Sequence, residues 1–173
     1  MANLHAAMGQ LPPQIGQIAQ RFVDAGHELS LVGGPVRDAC LGVVPHDFDL
    51  TTSARPEETE ALLKEWGATT WDMGRAFGTI GGRKQGVIVE ITTYRADDYD
   101  PNSRKPQVKF GDTLEGDLAR RDFTVNAMAL RLPDFTLVDP HNGLADLLAR
   151  ELNTPITAEE SFSDDPLRIM RAV

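Results

Sequence analysis

The chain reads as an α/β fold built on a mixed, largely antiparallel sheet flanked by helices, and three observations carry that reading. A short apolar segment, Leu29 to Val32, runs directly into Gly33-Gly34-Pro35, the pattern of a buried strand turning into a helix. Segments 77–83 and 87–93 have strand character, and Gly81, Gly82 and Gly86 sit where a hairpin must turn, which makes the two strands an antiparallel pair. Apolar residues also recur at helical spacing in two stretches that each open on a proline.

Each element has its own justification. The first helix is expected from Pro13 to Ala25, with Ile15, Ile18, Ala19 and Phe22 on one face. The strand 29–32 ends at Gly33-Gly34, where the absence of Cβ atoms lets backbone turn and approach a bulky ligand. Pro35 suits the start of the next helix, and free amides there, beside Arg37, make an anion site fit for a triphosphate. A strand over 48–52 follows. Asp47 and Asp49 are separated by one residue, so their carboxylates leave the strand on the same face and can share divalent cations. Magnesium favours one or two carboxylates completed by phosphate oxygens and water. A second helix is expected from Pro56 to Trp66 with Leu62, Leu63 and Trp66 inward, then a strand at 69–72 and the hairpin.

The Asp-x-Asp spacing alone is weak, because it recurs at Asp98/Asp100 and approximately at Glu58/Glu60 and Glu115/Asp117, where a solvated face is the reading. What distinguishes Asp47/Asp49 is its place after a strand, a Gly-Gly turn and a short helix. A doubly wound dinucleotide fold is excluded for these glycines, since no G-x-G-x-x-G is present.

The run from Leu31 to Thr52, LVGGPVRDACLGVVPHDFDLTT, resembles the signature of the tRNA nucleotidyltransferase (CCA-adding enzyme) and bacterial poly(A) polymerase family. Three more segments match it in order: Val89 to Arg95, Arg120 to Ala129, and Asp164 to Ala172. The resemblance implies a head domain of the polymerase-β-like nucleotidyltransferase fold. It further implies a magnesium-dependent RNA nucleotidyltransferase that adds CMP and AMP from CTP and ATP to the 3′ end of tRNA without a template. Poly(A) polymerase activity within the family is one alternative, and a nucleotide-binding module inactive in isolation is another.

The resemblance assigns roles residue by residue. Asp47 and Asp49 bind magnesium, and Gly33, Gly34, Arg37 and Arg121 hold the triphosphate, while Asp122 and Asn126 lie near the ribose. Arg120 to Asn126 reads as helical, with Phe123, Ala127 and Leu130 at helical spacing and Asp122 and Asn126 sharing a face; a surface ion pair with an Asp-Asn contact is the plain alternative. Glu90 is the charged residue inside Val87-Ile88-Val89-Glu90-Ile91, a costly place unless paired, metal-bound or near an edge. It serves either as a third catalytic carboxylate or as a structural partner for Arg37 or Arg95.

Asp165 and Arg168 carry the most discriminating chemistry. Three residues apart on a helix, they set a carboxylate acceptor beside a guanidinium fork. Cytosine and adenine each offer an exocyclic amine next to an unprotonated ring nitrogen, which complements that pair. Uracil and guanine offer the reverse and would leave buried polar groups mismatched. Arg171 continues the same face toward base or phosphate; Asp164 stands where the family usually has glutamate.

Residues 95–112 are polar, rich in turn formers and expected to form a mobile loop; the resemblance implies a part in repositioning the site between C and A addition, and an inert surface loop is the equal alternative. Asp139 to Leu147 reads as a turn and short helix, and resembles the hinge between head and neck. The expected division is a head domain over 1–155 and the start of a helical neck over 156–173.

Composition bounds the rest. At 173 residues and 41% hydrophobic the chain can bury one core, and it has neither a membrane-length apolar run nor a secretory start, so a cytoplasmic protein with no membrane partner is expected. Its single cysteine, Cys40, excludes an internal disulfide, and the four histidines lack metal-ligand spacing. A net charge of −9 makes this segment a poor holder of RNA phosphates, so tRNA is expected to be gripped mostly by domains beyond it.

Overall fold

Leu4, Ala7 and Met8 recur at helical spacing and are buried on one side of α1 (Ala2–Met8), a helix not expected from the sequence. Next comes α2 (Pro13–Asp24), opened by a proline whose missing N–H is harmless at a helix start, and it buries Ile15, Ile18, Ala19 and Phe22. Buried along its whole length, β1 (Leu29–Val32) leads into α3 (Gly34–Cys40) and then β2 (Phe48–Thr52). In α4 (Pro56–Glu65), Leu63 and the following Trp66 are buried, and the Glu58 carboxylate accepts the Arg55 N–H at 2.8 Å. The computed structural model describes residues 2–96 and 109–173, so most of the loop expected at 95–112 lies outside the described residues.

Three strands follow: β3 (Thr69–Trp71), β4 (Thr79–Lys84) and β5 (Val87–Thr93). β6 (Arg95–Ala96) and β7 (Lys109–Phe110) pair only with each other. Then come α5 (Leu114–Ala119), β8 (Ala129–Arg131), β9 (Thr136–Val138), α6 (Gly143–Ala149), α7 (Ala158–Asp164) and α8 (Leu167–Arg171). The main sheet has the order β3-β4-β5-β2-β1-β8-β9, and β2 with β5 is its parallel pair among otherwise antiparallel neighbours. This is the mixed, mostly antiparallel sheet that the sequence predicts.

Two local expectations are corrected. Gly81 and Gly82 are inside β4, and the hairpin turns at Gln85-Gly86 instead. Their small size serves packing: a Cβ on Gly81 would come within 2.0 Å of the Trp71 indole, and one on Gly82 within 3.0 Å of Leu63. Nor is Arg120 to Asn126 a helix. Phe123 is extended, Thr124–Asn126 form one 3-10 turn, and Ala129 to Arg131 join the sheet as β8 beside β1. Ala127, Met128, Ala129 and Leu130 are all fully buried, and a segment buried on every side satisfies its backbone better in a ladder than its helical spacing suggested.

Alternation along β2 and β5 divides the sheet into two faces. Phe48, Leu50, Val89 and Ile91 point into the main core with Ile15, Ile18, Phe22 and Leu63. Asp49, Thr51, Glu90 and Thr92 therefore point to the other face. A smaller cluster of Val32, Tyr94, Leu114, Leu118, Ala127 and Ala129 anchors α5 there. Asp49 and Glu90 stay exposed beside it.

Candidate active site

The site begins at β2. Phe48 is 5% exposed and seats the strand in the core, so Asp47 and Asp49 on either side of it project from the opposite face. Parallel pairing sets Asp49 directly opposite Glu90 on β5. Asp47, Asp49 and Glu90 line one open cleft of about 370 Å³ together with Phe48 and Ile88. Among the described residues none of these carboxylates has a hydrogen bond or ion pair, and Arg37, a structural partner considered for Glu90, is engaged by Asp38 and Asn126 instead.

Asp49 sits at the foot of the cleft, solvent-accessible yet walled by protein. Burial pushes its carboxyl above the ordinary value, the Arg121 guanidinium pulls the other way, and the charge of Asp47 adds to the rise. Unpaired acidic oxygens gathered on one cleft are a donor set suited to a hard divalent cation. Among the described residues no group of three metal-ligating side chains lies close enough to hold an ion by itself.

Next to this cleft on the β1 side lies the Gly33-Gly34 turn. Gly33 adopts φ 72°, ψ −134°, a conformation that disfavours any side chain, and it leads into α3 with Gly34 and Pro35 in the first turn. Arg121 lies over it, since a Cβ on Gly33 would be 3.4 Å from Arg121 Nη1. Gly34 faces Arg37 in the same way, at 3.6 Å from Nη2. Arg37 Nη1 donates to Asn126 Oδ1 at 2.9 Å, and its Nε donates to Asp38 at 3.0 Å.

From Asn126 the polar contacts run onward to the C-terminal segment. Asn126 Nδ2 donates to Asp122 Oδ1 at 3.2 Å, so these residues meet through a bend rather than along a helix. Arg171 bridges Asp122, at 3.7 Å, and Asp165, at 3.0 Å. Asp165 and Arg168 do not share a helix. Pro166 disfavours helical geometry in the residue before it, and Asp165 is extended between α7 and α8, where its Oδ1 accepts the Leu167 N–H at 3.0 Å. Arg168 turns inward, with Nη1 donating to Ser161 Oγ at 2.9 Å and Nη2 to the Arg120 carbonyl at 2.8 Å. The two side chains are thus not presented side by side as a single base-reading edge.

The residue that sequence reasoning missed is Asp117. In a solvated-looking Glu-x-Asp pair, it is in fact fully buried and accepts hydrogen bonds from Thr51, from the Arg95 N–H and from Arg120 and Arg121. Burial favours its neutral form, but the Arg121 and Arg120 guanidiniums and the Arg95 amide outweigh this and hold the carboxyl below the ordinary range. Its spacing from Arg120 and Arg121, one helical turn on, was the available signal. The turn and short helix expected at 139–147 do form, capped by the Asp139 carboxylate, which accepts the Gly143 N–H at 2.7 Å and the Leu144 N–H at 2.9 Å.

Comparison with known proteins agrees with this fold. Residues 29–153 match the family model described as the poly A polymerase head domain. A CCA-adding enzyme of Streptococcus pyogenes is 44% identical over 155 residues, which is 89% of this chain and 37% of that protein; one from Levilactobacillus brevis is 42% identical over 90% of this chain and 38% of its own length. Among solved structures, the Bacillus stearothermophilus CCA-adding enzyme in complex with CTP superposes with a TM-score of 0.81 at 36% identity, covering 94% of this chain and 38% of that one. The Thermotoga maritima CCA-adding enzyme complexed with tRNA gives a TM-score of 0.74 at 28% identity over 97% of this chain and 38% of its own. The chain therefore spans less than two fifths of these relatives' length, and within that span it belongs to the poly A polymerase head domain family.

Proposed function

We propose that this chain carries the catalytic head of a template-independent RNA nucleotidyltransferase that transfers CMP and AMP from CTP and ATP to the 3′ end of tRNA. What supports the reading above all is the convergence of Asp47, Asp49 and Glu90 on one cleft beside the Gly33 turn that Arg121 overlies. The similarity to CCA-adding enzymes, solved with CTP and with tRNA, points to the same substrates.

In this mechanism the Gly33-Gly34 turn and Arg121 bind the β and γ phosphates, and Arg37, fixed by Asp38 and Asn126, backs the turn. Asp47 and Asp49 would hold magnesium, with Glu90, paired opposite Asp49 across β2 and β5, as a third carboxylate at the same cleft. Magnesium held by these carboxylates would supply Lewis-acid activation of the attacking 3′ hydroxyl and stabilisation of the leaving pyrophosphate. Asp122 and Asn126 border the ribose, and Asp165 with Arg168 read the base. For that reading Asp165 exchanges Arg171 for the exocyclic amine of C or A, and Arg168 turns from Ser161 toward the ring nitrogen. Residues 156–173 then serve as the first turns of a helical neck, and tRNA is held mainly by domains beyond them.

The test is incorporation of CMP and AMP into tRNA lacking its 3′ end by the intact protein. An Asp47→Ala/Asp49→Ala variant is expected to lose incorporation by a factor of at least about a thousand while melting no lower than the native protein. Normal incorporation by that variant would contradict the assignment.

A further inference from the structure

We infer that Asp117, which takes no part in the cleft itself, is the positioning residue that aims Arg121 at the nucleotide's phosphates and locks that guanidinium to the metal strand. This rests on the reading of Arg121 as a phosphate ligand. Asp117 is fully buried at the C-terminal half of α5, and both of its carboxylate oxygens are used. Oδ2 accepts from Arg121 Nη2 at 3.1 Å and from the Thr51 hydroxyl at 3.3 Å; Oδ1 accepts from the Arg95 N–H at 3.0 Å and from Arg120 Nη2 at 3.2 Å.

These partners come from separate parts of the site. Thr51 is two residues along β2 from Asp49 on the same face, Arg95 follows directly on β5 and Tyr94, and Arg121 reaches from the end of α5 back over Gly33. One carboxylate thus ties the strand of the acidic pair, the end of the Glu90 strand and the phosphate-side guanidinium into a single rigid unit. Geometry divides the guanidinium cleanly: Nη2 is spent on Asp117, while Nη1 is the nitrogen over the Gly33 turn. A bidentate fork held at one prong by a buried anion cannot swing into solvent, so its free prong stays aimed where phosphate binds. Arg120, at the same carboxylate, faces away and is pinned at its carbonyl by Arg168.

The experiment titrates the intact protein with CTP and separately with CMP, in magnesium, by calorimetry, and records thermal melts alongside. For Asp117→Asn, CTP is expected to bind about tenfold more weakly, with CMP affinity unchanged within about twofold, because CMP lacks the phosphates that Arg121 meets. Asp117→Asn added to Arg121→Ala should weaken CTP no further than Arg121→Ala alone. Native CTP affinity in folded Asp117→Asn, equal loss of CTP and CMP, or additive losses in the double variant would each overturn the inference. If Asp117→Asn does not fold, Arg121→Lys decides, since a lysine cannot serve carboxylate and phosphate with one fork: loss of about tenfold supports the inference, and native affinity overturns it. An Arg121→Ala protein with native CTP affinity would instead remove the phosphate role beneath it.

Discussion

Asp49 answers two opposed demands. Ionised, it can hold a cation; ionised without one, it pays for the water its walls exclude and for the charge of Asp47, with Arg121 giving partial relief. A folded-state pKa above the unfolded one means that the ionised group costs stability at neutral pH, and that this cost vanishes as pH falls through the raised value. Asp49→Asn is therefore expected to melt higher than the native protein at pH 7 in the absence of metal, by at most about 2–4 °C once solvent screening is allowed for. The difference should narrow toward pH 4, and the variant should be inactive. A lower melting temperature at pH 7 would show that Arg121 outweighs burial. Asp117 runs the other way. Its lowered pKa means a contribution to stability fully present above about pH 4, the unfolded value, and lost as pH falls further, so the deficit of Asp117→Asn should shrink in acid. At this scale the exposed acids were legible, because spacing on a strand fixes the face that a side chain takes. Asp117 was not, because burial depends on what packs over a residue, and Arg120 and Arg121 complete its environment only once α5 is placed.

At the scale of elements, strand pairing does what no local motif can. Asp49 and Glu90 are forty-one positions apart and meet because β2 and β5 run parallel in register, as the Cα pairing of Asp49 with Glu90 records. The helices and strands with strong periodicity, 13–24, 29–32, 48–52, 56–65 and 87–93, were readable from sequence within a residue or so. Those that deviate do so for stated reasons: β8 is overridden by burial, the Asp165-Pro166 break by proline sterics, and the glycines of β4 by an indole. Trp71 pairs with Gly81 across β3 and β4 and lies flat on it. Gly81→Ala forces a methyl into the ring, so unfolding in urea should show a loss of about 1–3 kcal/mol. A loss below that range would mean that Trp71 can move aside freely and that the glycine serves the backbone instead.

Over the whole molecule, the polar contacts from Asp38 through Arg37, Asn126, Asp122 and Arg171 to Asp165 connect three of the four sequence motifs in one line along the site. The order of the motifs along the chain was visible before the fold, but their convergence follows from the sheet order and from α8 packing back toward Asp122. Charge sets the other large-scale property. With a net charge of −9 the chain offers RNA phosphates little, and among the described residues no helix is long and apolar enough to cross a membrane. On the proposed function, affinity for tRNA is expected to come from outside this segment and choice of nucleotide from within it. The most direct measurement is a nucleotide panel: the intact protein, magnesium, tRNA ending before its CCA, and each of CTP, ATP, UTP and GTP alone and together. The account predicts C, C and A added in turn, with UMP and GMP incorporated at least about a hundredfold more slowly. Incorporation of UMP at the rate of CMP, or a run of A with no C, would contradict it.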